Sequence, residues 1–184
     1  MKKIKVTIII PVYNEKVSVS KTIFGIRKAL ENYNFGYEII CVNDASKDGS
    51  EKILDQFAEK NIIKVINHHV NKGYGASIKT GIAAAEGDWI MITDADGTYP
   101  VDKMPLLLSQ KDKYDMVVGA RIGKKVKIPL LRRPIKFMLN KFSSYLSGQK
   151  IPDLNSGLRI FDKKIALKYW NLFPERFSFT STMT

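Results

Sequence analysis

The sequence predicts an α/β fold: a mostly parallel central sheet with helices on both faces. Three observations carry this. Short β-branched runs alternate with amphipathic segments through the first hundred residues. The first run, Lys5 to Ile10, is apolar without alternation beyond Lys5, which suits a strand buried on both faces. Each of the first, second and fourth runs ends in polar or acidic residues, where open parallel sheets place their ligands.

The elements follow in order. Pro11 stops the first strand, and Val19, Ile23, Ile26 and Leu30 recur at helical spacing within 17–30. Tyr37 to Val42 is the second strand. Ser46 to Gly49 is turn chemistry, and Ser50 to Ala58 is a helix with Ile53, Leu54, Phe57 and Ala58 inward. Ile62 to Ile66 is the third strand, Gly75 to Ala85 a small-residue helix, and Asp88 to Thr93 the fourth strand. Strands alternating with helices imply parallel pairing through right-handed crossovers. Further on, Val101 to Leu108 reads as a helix and Asp115 to Gly119 as a strand. Residues 121–133, with Gly123 and Pro129, read as a loop. Pro134 opens a helix whose stripe is Ile135, Met138, Leu139, Phe142 and Leu146, with Gly148 past its end. That stripe is expected to pack on the sheet; the alternative is that it rests on a bilayer. Gly157 to Phe161 is a last strand. No terminator signal precedes Thr184, so the native protein is expected to continue.

The chain has 184 residues with 45% hydrophobic and 26% charged side chains, which argues against disorder. It reads as a single domain, with residues 1–100 and 101–184 as its two halves. A lone cysteine, Cys41, rules out an internal disulfide and fits a reducing cytoplasm. No apolar run is long enough to span a membrane, and the basic start lacks the cleavage site of a signal peptide. The net charge of +12 is lopsided. Residues 1–100 carry 13 basic and 12 acidic side chains, whereas residues 101–184 carry 17 and 6. From Gly119 to Lys150 there are nine basic residues and no acid. Such a surface suits nucleic acid, an anionic membrane or a phosphorylated substrate, or is simply a solvated face.

Acidic residues at three strand ends converge on the predicted carboxyl edge: Glu15 after the first strand, Asp44 after the second, and Asp94 and Asp96 after the fourth. Taken singly, each fits a cap or a turn. Together they fit a site. Alternate carboxylates directly after a buried strand hold a hard divalent ion through oxygen. Asp44 to Gly49 mimics an EF-hand start, but a strand precedes it and Asp55 stands where Glu belongs. Asn71 to Ala76 is a glycine-rich turn opening a helix, a place where phosphate binds. It is neither a Walker loop nor a dinucleotide fingerprint, because no Gly-Lys-Ser/Thr follows and Ile78 replaces the third glycine. His68 and His69 point opposite ways on a strand, which disfavours a shared metal.

The segments 10–15, 42–50, 71–76 and 93–97 occur in an order and spacing that resembles the family-2 glycosyltransferases of the GT-A fold, a Rossmann-like sandwich. The chain is most similar to the dolichyl-phosphate mannose synthase-like branch. Asp153-Leu154-Asn155-Ser156-Gly157-Leu158-Arg159 resembles that branch's Asp-x-x-Ser-Gly-x-Arg segment, and Arg176 to Phe179 resembles the start of its acceptor region. The resemblance implies a catalytic domain with a donor half and an acceptor half. It implies that Pro11, Tyr13 and Glu15 line a nucleoside pocket, with Lys72, Gly73 and Ala95 beside it. Asp44 would bond the base, Asp94 the ribose or metal, and Asp96 a Mg²⁺ or Mn²⁺ bridging the diphosphate. Arg121, Arg132, Arg133 and Arg159 are candidates for phosphate contacts, since a guanidinium binds phosphate bidentately. Ser156 would lie near the acceptor. Thr98 stands where some members carry a metal-binding Gln.

The reaction implied is an inverting transfer from a UDP- or GDP-sugar to an acceptor, foremost a polyprenyl phosphate at the cytoplasmic face of a membrane. Asp96, Asp153 and Arg159 are the catalytic candidates. Asp153 is the base only if the acceptor is a hydroxyl, and after Pro152 it equally fits a turn residue. Lys124, Lys125, Lys127, Arg132, Arg133 and Lys136 would meet anionic headgroups, each worth up to ~1 kcal/mol. Other readings are a transferase acting on a glycan or protein hydroxyl, a nucleotidyltransferase, and a basic nucleic-acid-binding module. The last leaves Asp44, Asp94 and Asp96 unexplained, since carboxylates repel phosphates without a metal, so no nucleic-acid partner is expected.

Overall fold

The computed structural model describes residues 4–33, 35–120, 133–176 and 178–184, and the backbone alone for Ile4 and residues 133–137. Six strands form one sheet: β1 (Ile4–Val12), β2 (Gly36–Asn43), β3 (Lys64–Asn67), β4 (Trp89–Ile92), β5 (Met116–Val118) and β6 (Arg159–Asp162). Their order across the sheet is β3-β2-β1-β4-β6-β5. The first four pair in parallel, joined by α1 (Val19–Leu30), α2 (Ser50–Glu59) and α3 (Tyr74–Ala84). Strand β6 runs antiparallel to both neighbours and separates β4 from β5. Alternation of strand and helix predicts the first four pairings. It carries no information about this insertion, which is set by the long excursion between β5 and β6.

The apolar run of β1 is buried on both faces, as its composition predicts. Ile8 and Ile10 pack with Val19, Ile23 and Ile26 of α1 and Leu54 of α2, whereas Ile9 faces Ile78 and Ile82 of α3. A 3₁₀ turn at Val101–Lys103 runs into α4 (Met104–Leu108) on the first side. Phe161, Ala166 of α6 (Lys163–Lys168), Phe173 and Phe179 of α7 (Phe179–Met183) fill the second. Alternate side chains of a strand point to opposite faces, so one isoleucine run serves both cores. Gly81 on α3 permits the contact there: a Cβ would lie 2.5 Å from Ile9 Cγ2.

Helix α5 (Arg133–Ser147) departs from expectation. Its stripe does not pack on the sheet: Phe142 is 59% exposed and Tyr145 83%, and Met138, Leu139 and Leu146 are exposed with them. The helix is instead held at Asn140, whose Nδ2 donates to Pro152 O at 2.8 Å, while Ser144 Oγ accepts from Ile151 N. The expected loop over 121–132 lies outside the described residues.

Candidate functional site

The loops after β1 and β2 are laced together. Asn14 N donates to Ser46 Oγ and Asn14 Oδ1 accepts from Lys47 N; Glu15 N donates to Ser50 Oγ and Lys16 N to Asp48 Oδ2. Asn14 and Ala45 take positive φ to make these turns. The motif residues of 43–50 thus act largely as turn and cap residues that fix the sheet edge. They leave Pro11, Tyr13, Glu15 and Asp44 on the wall of one cavity.

That cavity, of about 700 Å³, lies at the carboxyl ends of β1, β2 and β4. Its lining includes Pro11, Tyr13, Glu15, Asp44, Gly73, Asp94, Ala95 and Asp96, so eight of the ten positions expected for a nucleotide-sugar are brought together. Lys72 is the ninth: its amide donates to Asp44 Oδ1 at 2.8 Å, while its side chain is turned out to solvent. Arg121 lies outside the described residues, as does Arg132, and the side chain of Arg133 is not described.

Asp44 is 3% exposed and its carboxylate is heavily engaged. Oδ1 accepts from Lys72 N and from His68 Nδ1 at 2.7 Å; Oδ2 accepts from Gly73 N at 2.8 Å. His68 Nε2 lies 2.9 Å from Thr80 Oγ1. His68 therefore serves the carboxylate, not a metal, and no cluster of three metal-ligating side chains occurs among the described residues.

Asp94 and Asp96 both open onto the cavity. Tyr74 Oη donates to Asp94 Oδ1 at 3.1 Å. Burial, then the field of Asp94, holds the Tyr74 phenol well above its ordinary value, so it stays a donor. Asp96 is exposed. Its Oδ1 accepts from both Thr98 N and Thr98 Oγ1, and among the described residues none of its hydrogen bonds falls on Oδ2. Thr98 thus holds Asp96 in an Asx turn and is spent on that carboxylate. Ala95 sits between the pair with its carbonyl accepting from Thr22 Oγ1 of α1. An all-oxygen pair that opens onto one cavity fits a hard divalent cation whose remaining ligands would come from a diphosphate.

The 153–159 segment behaves differently from expectation. Arg159 is fully buried and does not line the cavity. Its Nε and Nη2 donate to Ser156 O, Nη2 also to Leu154 O, and Nη1 to Thr180 O and Thr184 Oγ1. All five donors of the guanidinium are thereby used on the protein. A phosphate contact would have to displace them. Burial lowers its pKa to about 10, which leaves it charged at neutral pH. Ser156 is buried, its hydroxyl given to Gly119 O at 2.7 Å. Asp153 is 1% exposed and is not among the residues that line the cavity. Arg159 binds the segment to α7, and Ser156 binds it to Gly119 just after β5. What they present to the cavity is Asn155 and Gly157. Gly157 passes so close that a Cβ would lie 2.7 Å from Asp94 Oδ2 and 2.8 Å from Oδ1.

The glycine-rich turn has a structural cause as well. A Cβ at Gly75 would lie 2.3 Å from Pro174 O, and Ala76 N donates to Glu175 O at 2.7 Å. The backbone of 174–176 therefore lies across the start of α3, and the amides of Lys72, Gly73 and Ala76 are all taken by protein acceptors. Sequence reasoning missed Asn155, Thr180, Ser77 and Tyr74 as wall residues. Tyr74 and Asn155 sit inside recognised segments; nothing local marks Thr180, which arrives from the chain's last turn.

The profile of Glycosyl transferase family 2 matches residues 7–170. The chain is 30% identical to a dolichyl-phosphate beta-glucosyltransferase of Trichomonas vaginalis, over 92% of this chain and 54% of that protein. It is also 30% identical to an undecaprenyl-phosphate 4-deoxy-4-formamido-L-arabinose transferase of Proteus mirabilis, over 88% of this chain and 50% of that protein. Among solved structures, glucosyl-3-phosphoglycerate synthase from Mycobacterium tuberculosis with UDP superposes with a TM-score of 0.71 at 15% identity, over 96% of this chain and 62% of that one. A mannosyltransferase from Pyrobaculum calidifontis with GDP-Man and Mn²⁺ gives 0.64 at 20%, over 97% and 50%. The chain belongs to glycosyl transferase family 2, with the GT-A fold. It spans about half the length of the curated relatives it matches.

Proposed function

We propose that this chain binds a nucleotide-sugar in the cavity at the carboxyl edge of its sheet and transfers the sugar, with inversion, to a polyprenyl phosphate. The observation that carries the reading is that Asp44 and the pair Asp94 and Asp96 open onto one cavity from three different strand ends. One carboxylate suits a base N–H; the other two suit a diphosphate and its metal. Asp94 and Asp96 would hold Mg²⁺ or Mn²⁺, which when bound neutralises the charge that develops on the leaving diphosphate.

The chain's own residues do the rest. Asp44 orients the base, and Tyr13, 49% exposed, offers a ring face at the mouth. Tyr74 and Gly157 fix the Asp94 carboxylate between them, so it needs no reorganisation when charge develops. Arg159 is a positioning residue that clamps Asn155, Gly157 and Thr180 onto the wall. An acceptor phosphate is already anionic near neutral pH and needs no general base. The burial of Asp153 supports that acceptor over a hydroxyl, and residues 121–132 contain no carboxylate.

The relatives named above act on dolichyl and undecaprenyl phosphates, which supports a lipid-linked acceptor here. The exposed stripe of α5, in a stretch of sequence that carries nine basic residues and no acid, suits contact with the anionic face of a membrane on the cytoplasmic side. Among the described residues no helix is long and apolar enough to cross a membrane. The test is calorimetric titration with UDP and GDP, with and without Mn²⁺, on the native chain and on Asp96→Ala. Metal-dependent binding lost in the variant supports the reading. Equal binding by both proteins, or none by either, refutes it.

A further inference from the structure

Asp44 does more than contact a base: its hydrogen bonds count how many donors the base can bring. A carboxylate offers about four acceptor sites, two on each oxygen. Oδ1 is filled by Lys72 N at 2.8 Å and His68 Nδ1 at 2.7 Å. Oδ2 takes Gly73 N at 2.8 Å and, among the described residues, keeps one site. The role of His68 is fixed by chemistry. A carboxylate cannot donate, so Nδ1 carries the proton, and in the neutral ring Nε2 accepts from Thr80 Oγ1 at 2.9 Å. Thr80 sits on α3 and so anchors the ring from a rigid element. The pair is almost fully shielded, at 4% side-chain exposure for each partner, so solvent does not compete for these contacts.

We infer that His68 is a specificity-determining positioning residue: by occupying Oδ1 it leaves Asp44 one acceptor site, which matches a uracil ring and selects a UDP-sugar as the donor. This rests on the nucleotide-sugar reading above. Uracil presents a single N3–H between two carbonyl oxygens, one donor for one remaining site. Guanine presents N1–H and the 2-amino group side by side and is satisfied by both oxygens of a carboxylate. Here its second donor meets an oxygen already filled. Adenine and cytosine offer an amino donor beside a bare ring nitrogen, so a carboxylate that takes the amino proton also faces the ring lone pair. An unmatched donor buried beside a charged acceptor weakens binding by about tenfold or more.

The experiment is a titration of the 184-residue chain with UDP, GDP, ADP and CDP in Mn²⁺, repeated on His68→Leu, His68→Asn and Thr80→Val. The native chain is expected to bind UDP at least about tenfold more tightly than GDP, and ADP and CDP more weakly than UDP. His68→Leu frees the second site on Oδ1 and is expected to bring the UDP-to-GDP ratio within about threefold. His68→Asn, which keeps an N–H donor near the Nδ1 position, is expected to restore the native ratio. Thr80→Val removes the anchor alone and is expected to give an intermediate ratio. A purely structural role for His68 would lower the melting temperature and weaken both nucleotides alike. GDP binding as tightly as UDP in the native chain overturns this inference and leaves the proposed function standing. A folded His68→Leu with the native ratio overturns it too. Binding of none of the four overturns the proposed function and this inference with it. The native ranking is decisive even if His68→Leu does not fold.

Discussion

Replacing Gly157 by alanine tests whether the 153–159 segment governs the acidic pair. A Cβ there would lie 2.7 Å from Asp94 Oδ2, 2.8 Å from Oδ1 and 2.9 Å from Cγ, where ordinary contact begins at 3.4 Å. Relief therefore requires a displacement of about 0.7 Å, read from the shortest of those gaps. Rotation of the carboxylate gives little relief, because both oxygens and Cγ are crowded at once. Translation stretches the 3.1 Å bond from Tyr74 Oη. The backbone has little freedom to give way either, since Gly157 N donates to Tyr99 Oη at 2.6 Å. Overpacking of this kind costs about 1–3 kcal/mol, or a melting temperature lower by about 3–10 °C for a chain of this size. A misplacement of this order at a reacting centre weakens its function about ten- to hundredfold. Gly157→Ala is therefore expected to bind UDP in Mn²⁺ about ten- to hundredfold more weakly while remaining folded. Gly148→Ala is the control. Its φ is +67° and nothing lies within 4 Å of its Cβ position, so it loses stability through the backbone alone and keeps full binding. A Gly157→Ala protein with native affinity and native melting temperature refutes the reasoning.

Four other outcomes follow from the same geometry. Arg159→Met leaves the carbonyls of Leu154, Ser156 and Thr180 without their charged donor and is expected to cost about 3 kcal/mol or more in urea unfolding. Tyr74 keeps its proton at pH values where exposed tyrosines ionise. Spectrophotometric titration is expected to show the Tyr74 phenol missing from the step near pH 10, and Tyr74→Phe to leave that step unchanged in size. Because its folded pKa is raised, Tyr74's contribution holds below the ordinary value of 10.0 and stability falls as the pH climbs past it. Gly75→Ala, with Pro174 O only 2.3 Å from the new Cβ, is expected to loosen the 174–176 segment and expose it to protease while the sheet persists. Cys41 is fully buried and burial pushes its thiol well above the usual range, so a thiol reagent is expected to modify it only in denaturant.

The parallel half of the fold was legible because its signals are local. The Ile8 to Ile10 run is long enough to fill two cores, and each helix carries its own apolar stripe. Asp44, Asp94 and Asp96 were legible as cavity residues for the same reason: each follows directly on a buried strand, and the strand ends share one edge. Arg159 and Ser156 sit in the expected region, but their polar atoms are spent on the chain itself. Whether an arginine faces a ligand or its own chain depends on where the carbonyl of Thr180 arrives, 21 residues away. His68 was judged as half of a histidine pair, whereas its partners are Asp44 and Thr80, 24 and 12 residues distant. The stripe of α5 shows the limit of periodicity. Spacing says which side chains share a face, and only the rest of the fold says what that face meets.

The measurement that tests the account most directly is a crystal structure of the chain soaked with UDP and Mn²⁺. The account predicts the uracil ring at Asp44, the diphosphate at Asp94 and Asp96, and Arg159 still bound to its carbonyls. Nucleotide density away from that cavity, or at it with both Asp94 and Asp96 uninvolved, would contradict the account.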